Sequence, residues 1–154
     1  MYVTYEELLI EADNNNLLTK EKPLPVSKGR IRGRQILIRS GLIEAEKKCI
    51  LAEELGHYYT TTGNILDQRD TRNRKQEYRA RLWGYNKLVG LHAIVQAYKH
   101  GCTNLYDTAD FLEITELFLK DLLTCYRSKY GVCKEYGEYI VYFEPYLHVE
   151  EKTG

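Results

Sequence analysis

The chain has 154 residues, which suits one compact domain or a core with a small appendage. Hydrophobic residues make up 44% of it and charged residues 29%, a balance that excludes an intrinsically disordered chain and predicts a packed core. The 22 basic and 22 acidic residues give a net charge of zero, which argues against a protein built wholly around nucleic acid.

The sequence also bears on the cellular compartment. No apolar run approaches membrane-spanning length, and the first residues do not resemble an export signal. The four cysteines lack a Cys-x-x-Cys spacing, so we expect reduced thiols in a cytoplasmic protein without a membrane partner. Cys133 lies in a polar stretch and is expected to be exposed.

The N-terminal part predicts a helix followed by strand. A capping box at residues 4–7 opens the helix, and three asparagines at residues 14–16 end it. Residues 30–39 are predicted to be strand, with two prolines upstream that indicate a loop or an edge strand. Alternate positions carry first arginine and then isoleucine, at Arg30, Arg32, Arg34, Ile36 and Ile38. Since one face cannot be both basic and buried, we expect a turn or bulge near Gly33 that exchanges the faces.

Two long helices are predicted next, at residues 43–60 and 72–99. A polar stop signal at residues 60–64 ends the first, and a glycine at residue 101 ends the second. The candidate core residues of the first helix are Ile50, Leu51 and Leu55.

The decapeptide at residues 50–59, Ile-Leu-Ala-Glu-Glu-Leu-Gly-His-Tyr-Tyr, has the frame of the motif His-Glu-x-x-His, with Glu53 in the first histidine position. Residues four apart share one face of a helix, so Glu53 and His57 can bind one metal ion, with Glu54 beside them to handle a proton. A catalytic zinc site usually has three protein ligands and a water. The third should come from a neighbouring helix, and Glu77 is well placed early on the next one.

Residues 103–128 predict two shorter helices, with a break at residues 112–114 and Thr115 as the second N-cap. Their spacing is that of a helix-turn-helix, but the second helix is acidic, which repels phosphate. A strand at residues 136–143, paired with residues 130–134, would complete a winged-helix-like shape. The segment therefore indicates a packing and partner-recognition module rather than a DNA reader.

The stretch Leu-Ala-Glu-Glu-Leu-Gly-His-Tyr-Tyr, followed by Glu-Tyr-x-Ala-x-x-Trp from residue 77, resembles the ImmA/IrrE family of metallopeptidases over roughly residues 24–100. The resemblance implies a fold in which a β-hairpin precedes the motif helix. It also implies cleavage of a helix-turn-helix repressor of a phage or mobile element. Carried over by position, the implied metal ligands are Glu53, His57 and Glu77, and the implied catalytic acid/base is Glu54.

Glu53 departs from the family pattern, which has histidine there. One imidazole and two carboxylates can still bind zinc, although this harder ligand set makes manganese or iron more plausible. Two negative ligands should also weaken the pull of the ion on a bound water and raise the pKa of that water.

Two other features are interpreted as parts of the fold or the solvent-exposed surface and not as functional sites. His92 follows Glu77 by about four helical turns and is more often a packed or surface histidine than a catalyst. The basic run at residues 69–81 is read as a solvated helix surface, with a dock for an acidic partner or nucleic acid as the less favoured reading.

Together these features predict a mostly helical α+β protein. Residues 1–101 form a zincin-like metallopeptidase core, and residues 102–154 form a winged-helix-like segment packed on it. The leading hypothesis is a zinc-type endopeptidase that cleaves a helix-turn-helix repressor. One alternative is a non-catalytic antirepressor or adaptor that binds the same repressor. A second is a DNA-binding module that uses the C-terminal segment and the arginine-rich hairpin predicted around Gly33, although direct nucleic-acid binding is not favoured.

Overall fold

The computed structural model describes residues 2–60 and 71–153, and of residues 71–73 only the backbone. Within these residues the protein is α+β and mostly helical, as predicted, and it has six helices and six short strands. It divides into a first unit, Val3–Leu88, and a second unit that begins at Val89 and includes Tyr2. The division falls earlier in the chain than the predicted boundary after Gly101. No helix among the described residues is long and apolar enough to cross a membrane.

The first unit holds three helices and a three-stranded sheet. The capping box is present, because the Thr4 hydroxyl accepts a hydrogen bond from the backbone N–H of Glu7 and the Glu7 carboxylate accepts one from Thr4. The helix predicted at residues 43–60 is confirmed, while all but the first residue of the stop signal predicted at residues 60–64 lies outside the described residues. In chain order the elements are α1 (Tyr5–Asn14), β1 (Leu18–Lys22), β2 (Gly29–Arg32), β3 (Gln35–Arg39), α2 (Glu44–Thr60) and α3 (Thr71–Leu88).

The sheet has the order β1-β3-β2, with β1 parallel and β2 antiparallel to β3. A two-residue turn that begins at Gly33, whose φ is +61°, joins β2 to β3. Because Arg32 pairs with Gln35 across this turn, Ile36 and Ile38 fall on the opposite face from the arginines. Both isoleucines are fully buried, so the predicted exchange of faces at Gly33 is confirmed.

Helices α2 and α3 pack closely through small residues. A Cβ on Gly56 would overlap the backbone of Ala80, and one on Gly84 would meet the carbonyl oxygen of Ala52 at 3.4 Å. Glycine is required at position 56, where the two backbones approach most closely, whereas the contact at Gly84 leaves room for a methyl group. Of the predicted core residues of α2, two are fully buried and Ile50 is half-buried; the buried ones are Leu51 and Leu55.

The prediction of one helix over residues 72–99 is wrong. Helix α3 ends at Leu88, and α4 runs over Gly90–His100. Gly90 has a φ of +63° and Val89 is not helical, so the helical pattern of backbone hydrogen bonds is interrupted at these two residues. The glycine was the visible signal for this break, which also divides the two units.

The second unit contains α4 and the C-terminal elements. The predicted break is confirmed, since Glu113 has a φ of 54° and the Thr115 hydroxyl accepts a hydrogen bond from the backbone N–H of Phe118. The strand predicted at residues 136–143 is instead the end of one strand, a turn and a second strand, and the last strand was not predicted. These elements are α5 (Leu105–Leu112), α6 (Glu116–Tyr130), β4 (Cys133–Tyr136), β5 (Tyr139–Tyr142) and β6 (His148–Glu151), with strand order β4-β5-β6.

Candidate metal centre

Glu53 and His57 lie one turn apart on α2, as the spacing predicted. His57 is buried, whereas the side chain of Glu53 is partly exposed. The two side chains therefore share one face of the helix, with the imidazole deeper and the carboxylate nearer to solvent.

Glu77 comes from α3 and completes the cluster. Its Oε1 lies 3.5 Å from the Nε2 of His57. The close packing of Gly56 on Ala80 explains this approach. Gly56 directly precedes His57 on α2, and Ala80 follows Glu77 by three residues on α3, so the contact brings the two site residues together. Larger residues at the crossing would separate the helices and move Glu77 away from His57.

The three side chains fit a divalent metal ion. Each offers one ligand atom, and the ligand atoms of Glu53, His57 and Glu77 all lie within 4.8 Å of one another. Two ligands bound at zinc distances in a tetrahedral arrangement are about 3.3 Å apart, close to the separation of His57 and Glu77. One nitrogen and two carboxylate oxygens are ligands that zinc, manganese and iron all accept.

The other ring nitrogen of His57 is buried, and no described residue forms a hydrogen bond with it. Histidine ligands commonly donate from this second nitrogen to a carboxylate or carbonyl, which fixes the ring. Among the described residues, the burial of the ring and its contact with Glu77 restrict its orientation instead.

Glu54 is buried beside the three candidate ligands. Burial raises the pKa of its carboxyl, and with the smaller contribution of the nearby charges of Glu53 and Glu77 the pKa reaches about 8. A Cβ on Gly29, at the start of β2, would lie 3.6 Å from the Glu54 Oε1. The carboxyl is therefore held between the candidate ligands and the first residue of an edge strand.

Arg81 is a neighbour of the cluster that sequence reasoning missed. Its Nε lies 3.8 Å from a carboxylate oxygen of Glu53 and 3.8 Å from one of Glu77. The signal was available, because Arg81 follows Glu77 by four residues, the spacing at which helical ion pairs form. The sequence predicts Arg81 as part of a solvated basic surface; its side chain is half-exposed but faces the carboxylates.

An aromatic and polar network holds the end of α2 next to this site. The Tyr59 hydroxyl donates to Glu11 on α1 at 2.8 Å and accepts from the amide of Asn15 at 2.8 Å. The Tyr59 ring lies 4.9 Å from that of Trp83 on α3, and Lys87 forms a 2.7 Å ion pair with Glu11. Three helices are thus tied together close to His57.

The remaining candidates do not join this cluster. His92 belongs to the second unit, where its Nδ1 lies 3.1 Å from the Tyr136 hydroxyl. In the predicted basic run, Lys75 and Arg79 are exposed, as expected for a solvated surface, while its first residues lie outside the described part of the chain. Cys133 is exposed, as predicted.

Comparisons with known proteins give no family. No protein-family model matches the chain, and it has no significant match among curated proteins or among solved structures. What the protein does must therefore be inferred from its residues and their geometry.

Proposed function

We propose that this protein is a metal-dependent endopeptidase. The single observation that carries the proposal is the convergence of Glu53, His57 and Glu77 from two helices, with the buried carboxyl of Glu54 beside them. A group of acids gathered around a buried histidine is costly without a cation, because like charges repel where water is scarce. A divalent ion would relieve that repulsion.

Peptide hydrolysis requires one oxygen–carbon bond to form and one carbon–nitrogen bond to break, with a proton moved between them. When bound, the ion would polarise the scissile carbonyl and acidify a water. A bound cation would also lower the pKa of Glu54, so that its ionised carboxylate accepts a proton from the attacking water and then delivers it to the leaving amine. Because burial shields Glu54 from bulk water, the proton it accepts is retained for that second transfer.

Charge balance supports a role for Arg81 in this mechanism. In the usual ligand set, one ligand glutamate and one ionised general base balance the two positive charges of the ion. Glu53 adds a further negative charge in place of a neutral histidine, and Arg81 supplies the compensating positive charge at 3.8 Å. We infer that the pair Glu53–Arg81 stands in for the missing histidine, with zinc as the resident ion and manganese or iron as alternatives.

The class of substrate is proposed from the resemblance to ImmA/IrrE proteins, which implies a helix-turn-helix repressor in the cytoplasm. In this proposal the first unit is a zincin-like core, and the second unit is a winged-helix-like module that recognises the partner. The order of α5, α6 and the β4–β6 meander supports the second assignment. The N-terminal turn of α6 carries Glu116, which disfavours contact with phosphate.

Metal content is the first test. The protein is purified without a metal-chelating tag, and its zinc, manganese and iron are measured by mass spectrometry. Near-stoichiometric metal is expected, with losses in Glu53→Ala, His57→Ala and Glu77→Ala. Lys75→Ala, an exposed change on α3, serves as the matched control and should retain the metal.

Cleavage is the second test. The genes beside this one are searched for a helix-turn-helix repressor, which is incubated with the metal-loaded protein, and the products are identified by mass spectrometry. Glu54→Gln should fold and bind metal but cleave at least about 100-fold more slowly, since general-base groups contribute roughly 10²–10⁴ in rate. Full activity in Glu54→Gln would refute the role assigned to Glu54.

A second candidate function is a non-catalytic antirepressor, and Arg81 is the observation that favours it. A guanidinium already placed between Glu53 and Glu77 neutralises part of their charge, which a metal ion would otherwise do. In that case the protein would bind the repressor stoichiometrically without metal and without cleavage products. The two tests above separate the candidates.

A further inference from the structure

The outer face of the three-stranded sheet in the first unit is cationic. Strand register and exposure place one set of side chains on the face that points away from α1 and α2. That face carries no acidic residue. Its members are Leu18, Lys20, Lys22, Arg30, Arg32, Gln35, Leu37 and Arg39.

Four of these cations have no partner within the described part of the chain, and they are Lys20, Lys22, Arg30 and Arg32. Arg39 differs, because it donates to the backbone carbonyls of Leu24 and Ser27 and so holds the connection from β1 to β2. On the opposite face, by contrast, Glu21 is paired with Lys47 at 2.9 Å. The charge segregation is therefore a property of one face and not of the whole sheet.

Apolar side chains lie among these cations. Leu18 is 54% exposed, and the partly buried Leu37 pairs with both Lys20 and Arg30 across the sheet. Strands are about 4.8 Å apart, so the two cations flank Leu37 over a width of about 10 Å. The face thus offers a short apolar strip with positive charge on both sides.

We propose that this outer face is a docking surface for an acidic, partly apolar segment of a protein partner. Carboxylates of the segment would pair with Lys20, Lys22, Arg30 and Arg32, and its apolar side chains would cover Leu18 and Leu37. A phosphate backbone could use the cations but would leave the leucines exposed, and the face has no aromatic ring on which an unpaired base could stack.

The position of the surface gives it a second property. Strand β2 carries Arg30 and Arg32 on the outer face, while Gly29 at its start adjoins Glu54 on the inner face. A partner bound to Arg30 and Arg32 would therefore contact β2 only one to three residues beyond Gly29, the position that adjoins Glu54. This last step rests on the proposed endopeptidase function, whereas the docking itself does not.

The test uses the full-length Glu54→Gln protein, so that no cleavage occurs, and a fluorescent peptide in which Glu and Leu alternate. Binding is measured by anisotropy at low and high salt. We expect binding that weakens with salt, and a loss of roughly tenfold in affinity when the four cations are changed to serine. A second variant carrying only Arg30→Ser and Arg32→Ser should show a smaller loss of affinity. It allows the proposal to be tested even if the fourfold variant does not fold.

The matched control is Lys75→Ser with Arg79→Ser, which removes two exposed cations from α3 of the same unit. It should keep its affinity within about twofold. Four results would overturn the proposal: equal loss in the control, equal binding of a peptide with Gln in place of Glu, tighter binding of a DNA duplex, or no peptide binding. Metal content is measured on the same samples, so a protein that binds peptide but no metal would overturn the endopeptidase and leave the docking surface standing.

Discussion

Gly56 of α2 and Ala80 of α3 approach so closely that a Cβ on the glycine would overlap the alanine backbone. One residue further along α2 is His57, and three residues before Ala80 on α3 is Glu77. The distance between these two side chains, 3.5 Å, is therefore set by a contact that involves neither of them.

This contact gives the first prediction. Gly56→Ala should destabilise the fold by about 2 kcal/mol, because the added methyl group forces the two helix backbones apart. It should also lower metal occupancy, since Glu77 would move away from His57. Chemical unfolding and metal analysis measure the two effects.

Gly84→Ala is the matched control for that prediction. Its Cβ would meet the carbonyl oxygen of Ala52 at 3.4 Å, an ordinary contact. Alanine is also the better helix former by up to about 1 kcal/mol, so the variant should be neutral or slightly more stable. Equal damage from both glycine substitutions would contradict the special role of Gly56.

Glu54 gives a prediction about pH. Burial is the main cause that raises its pKa from 4.5 to about 8 in the folded protein. Its contribution to stability is therefore fully present below pH 4.5, and it is lost as the pH rises through about 8 and the buried carboxyl must ionise. In the presence of a chelator, Glu54→Gln should become more stable than the wild type by a few kcal/mol at alkaline pH.

Urea unfolding of both proteins across this pH range checks the expectation. A difference in unfolding free energy that does not change with pH would show that Glu54 is not a buried, titrating acid.

Arg81 gives a prediction about metal affinity. Its guanidinium lies 3.8 Å from carboxylates of both Glu53 and Glu77, where it repels a bound cation. Arg81→Gln should therefore bind zinc about five- to tenfold more tightly at low salt, and the gain should shrink as salt screens the charge. Competition with a chromogenic chelator measures the affinity.

Two variants complete that experiment. Arg81→Lys keeps the charge and should resemble the wild type, and Arg79→Gln removes an exposed charge from the same helix and should change little. If Arg81→Gln instead loses metal, the arginine supports the site by holding Glu53 and Glu77 in place.

Glu53 gives a prediction about metal choice. Glu53→His restores two imidazoles and one carboxylate, a softer ligand set that favours zinc over manganese. We expect the ratio of zinc to manganese affinity to rise by about tenfold or more. Glu53→Gln should weaken the binding of both ions, and an unchanged ratio in Glu53→His would mean that residue 53 does not contact the ion.

Local signals predicted those features of the fold that depend on neighbouring residues. The capping box at Thr4, the N-cap at Thr115 and the shared face of Glu53 and His57 all follow from spacings of three or four residues. The exchange of faces at Gly33 followed from a conflict between charge and burial that only a turn resolves.

Features that depend on distant residues were harder to predict. The parallel pairing of β1 with β3 joins segments that no local pattern connects. The contact of Gly56 with Ala80 was hidden because small residues carry little hydrophobic signal. Glu77 was placed by its helix position and by family resemblance, and Arg81 was missed because a charged residue usually faces solvent.

The turn at Gly33 has a consequence for how this protein can change in length. Inserting or deleting one residue there would shift the parity of every position in β3, turning Ile36 and Ile38 to solvent and charged or polar side chains toward α2. The longer connection between β1 and β2 has no such constraint. Insertions and deletions of one residue should therefore be tolerated between Lys22 and Gly29, whereas at Gly33 they should prevent the first unit from folding.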